Sequence, residues 1–218
     1  IAAANYPAIR MFQFNTTYSI FELPAPPDEP QSNREGRWVV CSPKTVTDFS
    51  AMGYFFGREI HKQVGGPVGL INSSAGGSGI EAWTSKEAQK AQPEIKPILD
   101  SWQTTLANYD PAAEMKKAGE AKKTWLKARA EAIAKGQPAP KTPIPFKNQL
   151  VLKPAGLFNA MIAPLIQYTV QGVIWYQGER NAGPGELTKL YGKQLVILIK
   201  DWRTRWGDDF YFALVQIA

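Results

Sequence analysis

The sequence is nearly devoid of the two residues that most often build disulfides and metal sites. Its 218 residues include one cysteine, Cys41, and one histidine, His61. A single cysteine excludes a disulfide within the chain, although it does not fix the cellular compartment. A single histidine excludes a His-rich metal site, and any Ser-His triad built within this chain must use His61.

Several sequence signals are also missing. No apolar run approaches the roughly 20 residues that cross a bilayer, so no transmembrane helix is expected. There is no G-x-x-x-x-G-K-[ST] phosphate loop and no G-x-S-x-G nucleophile elbow. The chain opens at Ile1 without a signal-peptide pattern, and its last apolar segment, Phe210–Ala218, ends where a catalytic loop normally follows a strand. We therefore expect this chain to be the middle of a longer protein.

The composition that is present indicates a globular domain with an unevenly placed positive charge. Hydrophobic residues make up 44% of the chain, and the net charge is +6. Ten Lys or Arg and three acids lie between Ala112 and Gly178, most of them in the Lys/Ala-rich segment Glu114–Lys135. Aromatic residues do not interleave with these cations, so a solvated helix face explains the charge better than a nucleic-acid groove. We expect no nucleic-acid partner.

Apolar runs alternate with stretches of helical periodicity along the chain. Strands are predicted at Ile9–Phe14, Val68–Ser73, Gly172–Tyr176 and Tyr211–Ile217. Helices are predicted from an Asp48 cap to Val64, from a Thr84/Glu87 capping box, and over Ile98–Tyr109, Glu114–Lys135, Leu157–Gln167 and Glu186–Trp206, with an exposed loop over Pro24–Arg37. This alternation predicts an α/β fold, with a mostly parallel sheet covered by helices on both faces.

The predicted helix after Asp48 carries an apolar stripe. Phe49, Met52, Phe56 and Ile60 share one face, which we expect to pack on the core. Gly53 and Gly57 lie four residues apart and would allow a close approach to a neighbouring element. His61 lies near the end of this helix, where a structural role is favoured over that of a catalytic base, because a base must reach the ligand cleft.

Two polar loops follow predicted strands. Asn72–Gly79 comes after Val68–Ile71, and Gln177–Asn181 comes after Val173–Tyr176. The carboxyl ends of parallel strands open on one edge of a sheet, which is where ligands bind in such folds. Consecutive glycines let backbone N–H groups converge on an anion, and an amide from Gln177 or Asn181 would add a neutral donor. Together these groups predict an oxyanion hole for acyl transfer.

Two other interpretations of the glycine loop remain open at this point. Glycine loops after strands are often only tight turns. The segment Gly77–Ala82 also satisfies a relaxed G-x-G-x-x-A dinucleotide pattern. Against the dinucleotide interpretation, the next helix is predicted to start only at Thr84, and the preceding strand is not the first of the chain.

The same two loops carry a specific resemblance. GLINSSAGGSGIEAWTS and GVIWYQGERNA resemble the two internal motif blocks of the sialate O-acetylesterase family, which belongs to the SGNH/GDSL hydrolases and is related to acetylxylan esterases. Further similar segments are ANYPAIRMF, WVVCSPKTVTDFSAMGYFFGREI, GLFNAMIAPLI and IKDWRTRWGDDFYFALVQIA. The likeness thus spans nearly the whole chain and is weakest over the Lys-rich helix.

The resemblance implies a flavodoxin-like SGNH domain over residues 1–218, incomplete at both ends, with a helical and Pro-rich insertion at 111–148. It implies serine-dependent hydrolysis of acetyl esters on carbohydrates, without a metal or organic cofactor, in a secreted or periplasmic protein. The family's G-Q-S-N nucleophile block and D-x-x-H base block are absent from these residues. A catalytically inactive, carbohydrate-binding protein of esterase fold is therefore the alternative.

The resemblance also implies roles for individual residues. Gly76 and Gly77 fall in the block that supplies a backbone oxyanion donor; Gln177 is the implied side-chain donor, with Glu179 in support and Asn181 closing the block. The implied substrate-binding residues are Ser74, Ser78, Arg180 and Trp83. Two positions depart from the family pattern: Ala75 replaces a common tryptophan and Arg180 a small serine. Ser73, Ser74 and Ser78 are poor nucleophile candidates because no base is evident beside them.

Overall fold

The computed structural model describes residues 3–14, 28, 36–141, 149–183 and 185–217. The strands are β1 (Tyr6–Phe14), β2 (Gly36–Cys41), β3 (Val68–Asn72), β4 (Gly172–Trp175) and β5 (Tyr211–Leu214). The α-helices are α1 (Ala51–Val64), α2 (Lys86–Lys90), α3 (Lys96–Ala107), α4 (Pro111–Ala134), α5 (Gln149–Leu152) and α6 (Tyr191–Trp206). The predicted α/β class is confirmed, and all four predicted strands form.

The strands lie in two small sheets rather than in the single sheet that was predicted. In the first, β1 pairs in parallel with β3 and antiparallel with β2, in the order β2-β1-β3. In the second, β4 and β5 pair in parallel. No hydrogen-bonded ladder joins β3 to β4 among the described residues. The antiparallel strand β2 was not predicted, and most of the predicted loop Pro24–Arg37 lies outside the described residues.

The two sheets nevertheless share one large core. Side chains alternate along β1, so Ile9 and Met11 pack on one face and Phe12 and Phe14 on the other. The first face joins a smaller cluster with Cys41 and Tyr54. The second face joins the large core, which also contains Ile80, Trp83, Leu157, Phe158, Trp175, Leu198, Trp202 and Phe210. The large core therefore connects the first sheet to the β4–β5 pair.

Helix α1 packs through a different face from the predicted one. Its N-cap is Ser50, whose hydroxyl accepts the Gly53 N–H at 3.2 Å, so the predicted Asp48 cap is wrong. The buried residues of α1 are Tyr54 and Gly57. Of the predicted stripe, Phe49 lies before the helix and is buried, whereas Met52, Phe56 and Ile60 are 36–44% exposed. Gly57 is the reason, since its lack of a side chain lets the helix lie directly on Leu70 of β3.

The segment that follows the glycine loop forms two short helices, which hydrogen bonds hold in place. A 3₁₀ helix, Ile80–Trp83, precedes α2. Ser85 caps α2 by accepting the Ala88 N–H at 3.2 Å, so the predicted Thr84/Glu87 capping box is wrong. Thr84 instead donates its hydroxyl to the Ile80 carbonyl. Asp201 of α6 accepts both the N–H and the hydroxyl of Ser85 at 2.8 Å, which fixes this segment to α6.

The predicted helix Leu157–Gln167 does not form a regular α-helix. It consists of a π-helical turn, Phe158–Ile162, followed by a 3₁₀ turn, Ala163–Leu165. Pro164 accounts for the break, because proline lacks the N–H that an α-helix needs.

Helix α4 has no buried residue, which confirms the prediction that the Lys-rich segment is a solvated helix. None of the described helices has the length and apolar composition needed to cross a membrane.

The contact between α1 and β3 makes a testable prediction. A Cβ at Gly57 would lie 2.5 Å from the Leu70 side chain, so Gly57→Ala forces the helix and strand apart. We expect a loss of about 1–3 kcal/mol in the free energy of unfolding, measured by urea denaturation. The matched control is Gly119→Ala in α4, where a Cβ meets nothing within 4 Å. This control is expected to gain about 0.5–1 kcal/mol from helix propensity. Equal effects of both substitutions would contradict the packing argument.

Candidate active site

The two motif loops meet at the carboxyl ends of β3 and β4. Gln177, after β4, donates its side-chain Nε2 to the Ser78 carbonyl of the glycine loop at 2.9 Å. Asn181 accepts the Ile80 N–H at 3.0 Å through its Oδ1. These contacts join residues about a hundred positions apart in the sequence. The prediction that the two loops share one edge is confirmed by this geometry, although the two strands are not paired with each other.

The glycine loop exposes its backbone at Gly76 and Gly77. Gly77 adopts a φ of +74°, which favours glycine over any residue with a side chain. Both residues are exposed, and a Cβ on Gly76 would meet nothing within 4 Å. Neither backbone N–H donates to another described residue. Two adjacent, unpaired N–H groups are therefore available to an anion at this edge.

The loop after β4 is held by side chains from both directions. Tyr191 donates its hydroxyl to the Gln177 backbone carbonyl at 2.8 Å and lies 3.0 Å from Gln177 Oε1. Trp175 donates its indole N–H to the Tyr191 oxygen at 3.2 Å. Burial raises the pKa of the Tyr191 hydroxyl, and the charge of Glu179 acts in the same direction. Tyr191 therefore stays protonated, and remains a hydrogen-bond donor, throughout the physiological pH range.

The amide side chains of Gln177 and Asn181 differ in how many of their hydrogens already have a partner within the protein. Gln177 uses both amide hydrogens inside the protein, donating to the Ser78 carbonyl and to Asn181 Oδ1, each at 2.9 Å. Asn181 donates one amide hydrogen to Glu81 Oε2 at 3.0 Å. Its second amide hydrogen has no partner among the described residues. Asn181 thus keeps one amide hydrogen without a partner in this part of the chain, whereas Gln177 would have to exchange one of its bonds to donate to a ligand.

Two of the residues implied as substrate-binding lie inside the protein. Ser78 and Trp83 are each 3% exposed. Trp83 donates its indole N–H to the Ser78 hydroxyl at 2.8 Å, and Ser78 donates to the Ala75 carbonyl at 2.7 Å. These two residues lie beneath the glycine loop, and their predicted role in substrate binding stays a prediction. Ser74, Glu179 and Arg180 are exposed at the loops, and their predicted roles stay predictions.

None of the loop serines has the surroundings of an activated nucleophile. Ser73 donates to the Met161 carbonyl at 3.1 Å, and Ser74 donates to Asn72 Oδ1 at 2.8 Å. His61 lies in the last turn of α1, where its Nδ1 is 2.7 Å from the Gly66 carbonyl. That position precedes β3, whereas the glycine loop follows β3, so the length of the strand, about 16 Å, separates them. His61 is therefore not the base for a serine on this loop.

The described residues offer no site for a metal, since no group of three or more His, Cys, Asp and Glu side chains lies together there. They also argue against the dinucleotide interpretation. A dinucleotide site needs a long helix that begins within the glycine loop. Here the loop leads into a 3₁₀ helix, and α2 has only five residues. The exposed backbone at Gly76 and Gly77 instead suits a single developing negative charge.

Comparison of the structure with solved structures identifies the class of protein. The chain resembles the crystal structure of a carbohydrate acetylesterase from Xanthomonas citri, with a TM-score of 0.63 and 28% sequence identity. The alignment covers 99% of this chain and 35% of that one. No family model matches the sequence. The fold is therefore that of part of a carbohydrate acetylesterase.

Comparison of the sequence gives the more specific relationship. The chain is 32% identical to the sialate O-acetylesterase of Rattus norvegicus over 199 residues, and 32% identical to that of Homo sapiens over 177 residues. These alignments cover 79% and 78% of this chain. The resemblance to sialate O-acetylesterases is thereby confirmed. The chain spans only 30% and 25% of the length of these two relatives.

Sequence reasoning missed two residues that hold the site together. Glu81 is buried beneath the glycine loop and accepts hydrogen bonds from Trp102 and Asn181, each at 3.0 Å. Tyr191, at the start of α6, reaches back to Gln177. One signal was available for Glu81, namely a lone acid between Ile80 and Ala82 in an otherwise apolar run. No local signal marked Tyr191, whose partner lies 14 residues earlier.

The packing of Glu81 against the loop predicts the effect of two glycine substitutions. A Cβ at Gly79 would lie 2.4 Å from the Glu81 carboxylate, which its hydrogen bonds hold in place. Gly79→Ala should therefore break at least one of these buried bonds and cost about 1–3 kcal/mol of unfolding free energy, measured by urea denaturation. Gly76→Ala is the control, since a Cβ there enters open space. A Gly79→Ala protein as stable as the control would contradict this placement of Glu81.

Proposed function

We propose that the complete protein is a serine-dependent carbohydrate O-acetylesterase, and that this chain supplies its oxyanion hole. One observation supports the proposal: Gln177 and Asn181 hydrogen-bond to Ser78 and Ile80, which follow Gly76 and Gly77 closely in the sequence. The named relatives are a carbohydrate acetylesterase and sialate O-acetylesterases, which act on esters of this class. The proposed substrate is an acetylated carbohydrate.

The proposed mechanism is acyl transfer through a tetrahedral intermediate. A serine attacks the acetyl carbonyl carbon while a base takes its proton, and the carbonyl oxygen becomes negatively charged. The N–H of Gly76 or Gly77 and one side-chain amide of the Gln177–Asn181 pair donate to that oxygen. These donors are neutral, so they favour the charge that develops in the transition state without binding an acetate product as an ion pair. Collapse expels the sugar hydroxyl, and water then releases acetate from the serine.

We infer that the nucleophile and its base are supplied by segments outside these 218 residues. The loop serines are bonded to internal acceptors, and His61 lies at the opposite end of β3. Exposed Ser74 and Arg180 are proposed to contact the sugar, and Glu179 to support the loop. A carbohydrate-binding protein without catalysis is the second candidate. This second candidate is favoured because the described residues hold no complete catalytic triad.

The fold and location of the complete protein are part of this proposal. We infer a flavodoxin-like SGNH sheet in which the β1–β3 and β4–β5 pairs become one, supported by their parallel pairing and by the meeting of their carboxyl ends. Residues 111–148 form a proposed insertion, supported by the absence of buried residues in α4. A secreted or periplasmic location follows from the resemblance alone.

The first prediction of the proposed function is hydrolysis that needs no metal. The full-length protein should hydrolyse p-nitrophenyl acetate, and its rate should be unchanged by EDTA, because serine acyl transfer uses no metal ion. Loss of activity in EDTA with recovery in zinc would point to metal-dependent deacetylation instead. Binding of acetylated sugar without any hydrolysis would favour the second candidate.

The second prediction concerns the amide donors. Gln177→Ala in the full-length protein should lower kcat by about 100- to 1,000-fold, while KM changes little, because the lost interaction belongs to the transition state. Gln137→Ala is the control, since Gln137 is an exposed glutamine just after α4, a helix with no buried residue. The check is steady-state kinetics on p-nitrophenyl acetate. Near wild-type kcat in Gln177→Ala would overturn this assignment and leave Asn181 as the side-chain donor.

A further inference from the structure

Glu81 is a buried carboxylate that the proposed mechanism does not use. It is 6% exposed, and its two oxygens accept from Trp102 Nε1 and from Asn181 Nδ2, each at 3.0 Å. Within the described part of the chain, no Lys, Arg or His forms an ion pair with it. Burying an acid that has only neutral partners is costly. Such a residue is retained where its charge or its geometry serves another group.

The group that Glu81 contacts is the amide of Asn181. The Ile80 backbone N–H can only donate, so the Asn181 atom that faces it must be the oxygen. Because the Asn181 oxygen faces Ile80, the amide nitrogen is the atom that lies toward Glu81 and donates to its Oε2. Ile80 and Glu81 therefore define the plane and the orientation of the Asn181 amide from opposite sides. The second Asn181 hydrogen is thereby aimed in a fixed direction.

The orientation of the Asn181 amide also affects the position of the Gln177 side chain. Asn181 Oδ1 accepts a hydrogen from Gln177 Nε2 at 2.9 Å, and the Ser78 carbonyl accepts the other. If Asn181 rotated, Gln177 would lose one of the two acceptors that place its nitrogen. Glu81 is thus one hydrogen bond from Asn181 and two from Gln177.

We propose that Glu81 is a positioning residue for the acetyl-ester hydrolysis proposed above, which aims the Asn181 amide, and through it Gln177, at the oxyanion. This inference rests on the proposed function. Gly79 supports it, because only a glycine leaves room for the carboxylate beneath the loop, where a Cβ would lie 2.4 Å from its oxygen. Glu81 itself contacts no reacting atom, since it lies beneath the loop that carries the free N–H groups.

Two conservative variants of the full-length protein separate geometry from charge. Glu81→Asp keeps the charge but withdraws the carboxylate by one methylene, so the Asn181 amide loses its acceptor. Its kcat on p-nitrophenyl acetate should fall about 10- to 100-fold with KM within about threefold. Glu81→Gln keeps the length but has one oxygen for two donors, so it is made together with Trp102→Phe, which removes the competing indole N–H. The glutamine oxygen then accepts from Asn181, and kcat should stay within about threefold of that of the Trp102→Phe protein. Wild-type kcat in Glu81→Asp, or equal falls in both variants, would overturn the positioning role.

A control and a background variant complete the test. Gly36→Ala, on the edge strand β2, puts a Cβ 2.3 Å from the Phe12 ring. It should destabilise the protein and leave kcat unchanged, which shows that lost stability alone does not lower the rate. In an Asn181→Ala background, Glu81→Asp should cause no further fall in kcat, because the group it positions is gone. A further tenfold fall in that background would overturn the proposal.

Failure of the proposed function gives a different result. If the wild-type protein hydrolyses no acetyl ester, the esterase proposal has failed, and the positioning claim is judged on crystal structures alone. Glu81→Asp should then show a rotated Asn181 side chain and a longer Gln177–Asn181 distance than the 2.9 Å of this structure. An unmoved Asn181 would overturn the positioning claim independently of activity.

Discussion

The side chain of Asn181 connects the two halves of the site. Its oxygen accepts from the Ile80 backbone and from Gln177, and its nitrogen donates to Glu81. Because β3 and β4 share no hydrogen-bonded ladder in the described chain, this amide and the Gln177–Ser78 bond hold the two loops in register. These bonds help to fix the position of the free N–H groups of Gly76 and Gly77 relative to the amides.

Much of the fold was predictable because its signals are local. Apolar runs mark β1, β3, β4 and β5. Turn-forming residues flank β1, β3 and β4 and help to define where these strands end. The strand β2 was missed because it is an edge strand with a half-exposed Trp38 and Val40, and such strands lack a clear buried alternation. The packing face of α1 was wrong because an apolar stripe cannot reveal that Gly57 provides the closest approach to β3. The exact helix caps depend on which of several adjacent polar side chains reaches the backbone.

The site was predictable in its parts but not in its connections. The glycine loop and the Gln177–Asn181 loop could be placed on one edge from strand order alone. Glu81 and Tyr191 were missed because their roles arise from contacts formed only in three dimensions, as between Glu81 and Asn181. The burial of Ser78 and Trp83 was likewise not evident from the sequence. Residue type alone cannot separate a serine that faces a ligand from one that accepts a buried indole N–H.

The proposed catalytic groups are divided between this chain and other parts of a longer protein, which agrees with the greater length of the relatives. This chain spans 30% of the rat sialate O-acetylesterase and 35% of the Xanthomonas citri acetylesterase structure. Its described residues carry neutral N–H groups at a strand-end edge, and the hydroxyls of Ser73, Ser74 and Ser78 donate to acceptors within the protein. Neutral, fixed donors are suited to an anion that exists only during the reaction. The proposed nucleophile must then approach this edge from another part of the protein.

The most direct measurement of this account is a crystal structure of the full-length protein after reaction with an organophosphonate that labels serine esterases. The phosphonyl oxygen imitates the tetrahedral oxyanion. We predict that it lies about 3 Å from the N–H of Gly76 or Gly77 and from an amide nitrogen of Gln177 or Asn181, with phosphorus on a serine outside these 218 residues. A phosphonyl oxygen turned away from both loops, or an adduct on Ser73, Ser74 or Ser78, would contradict the account.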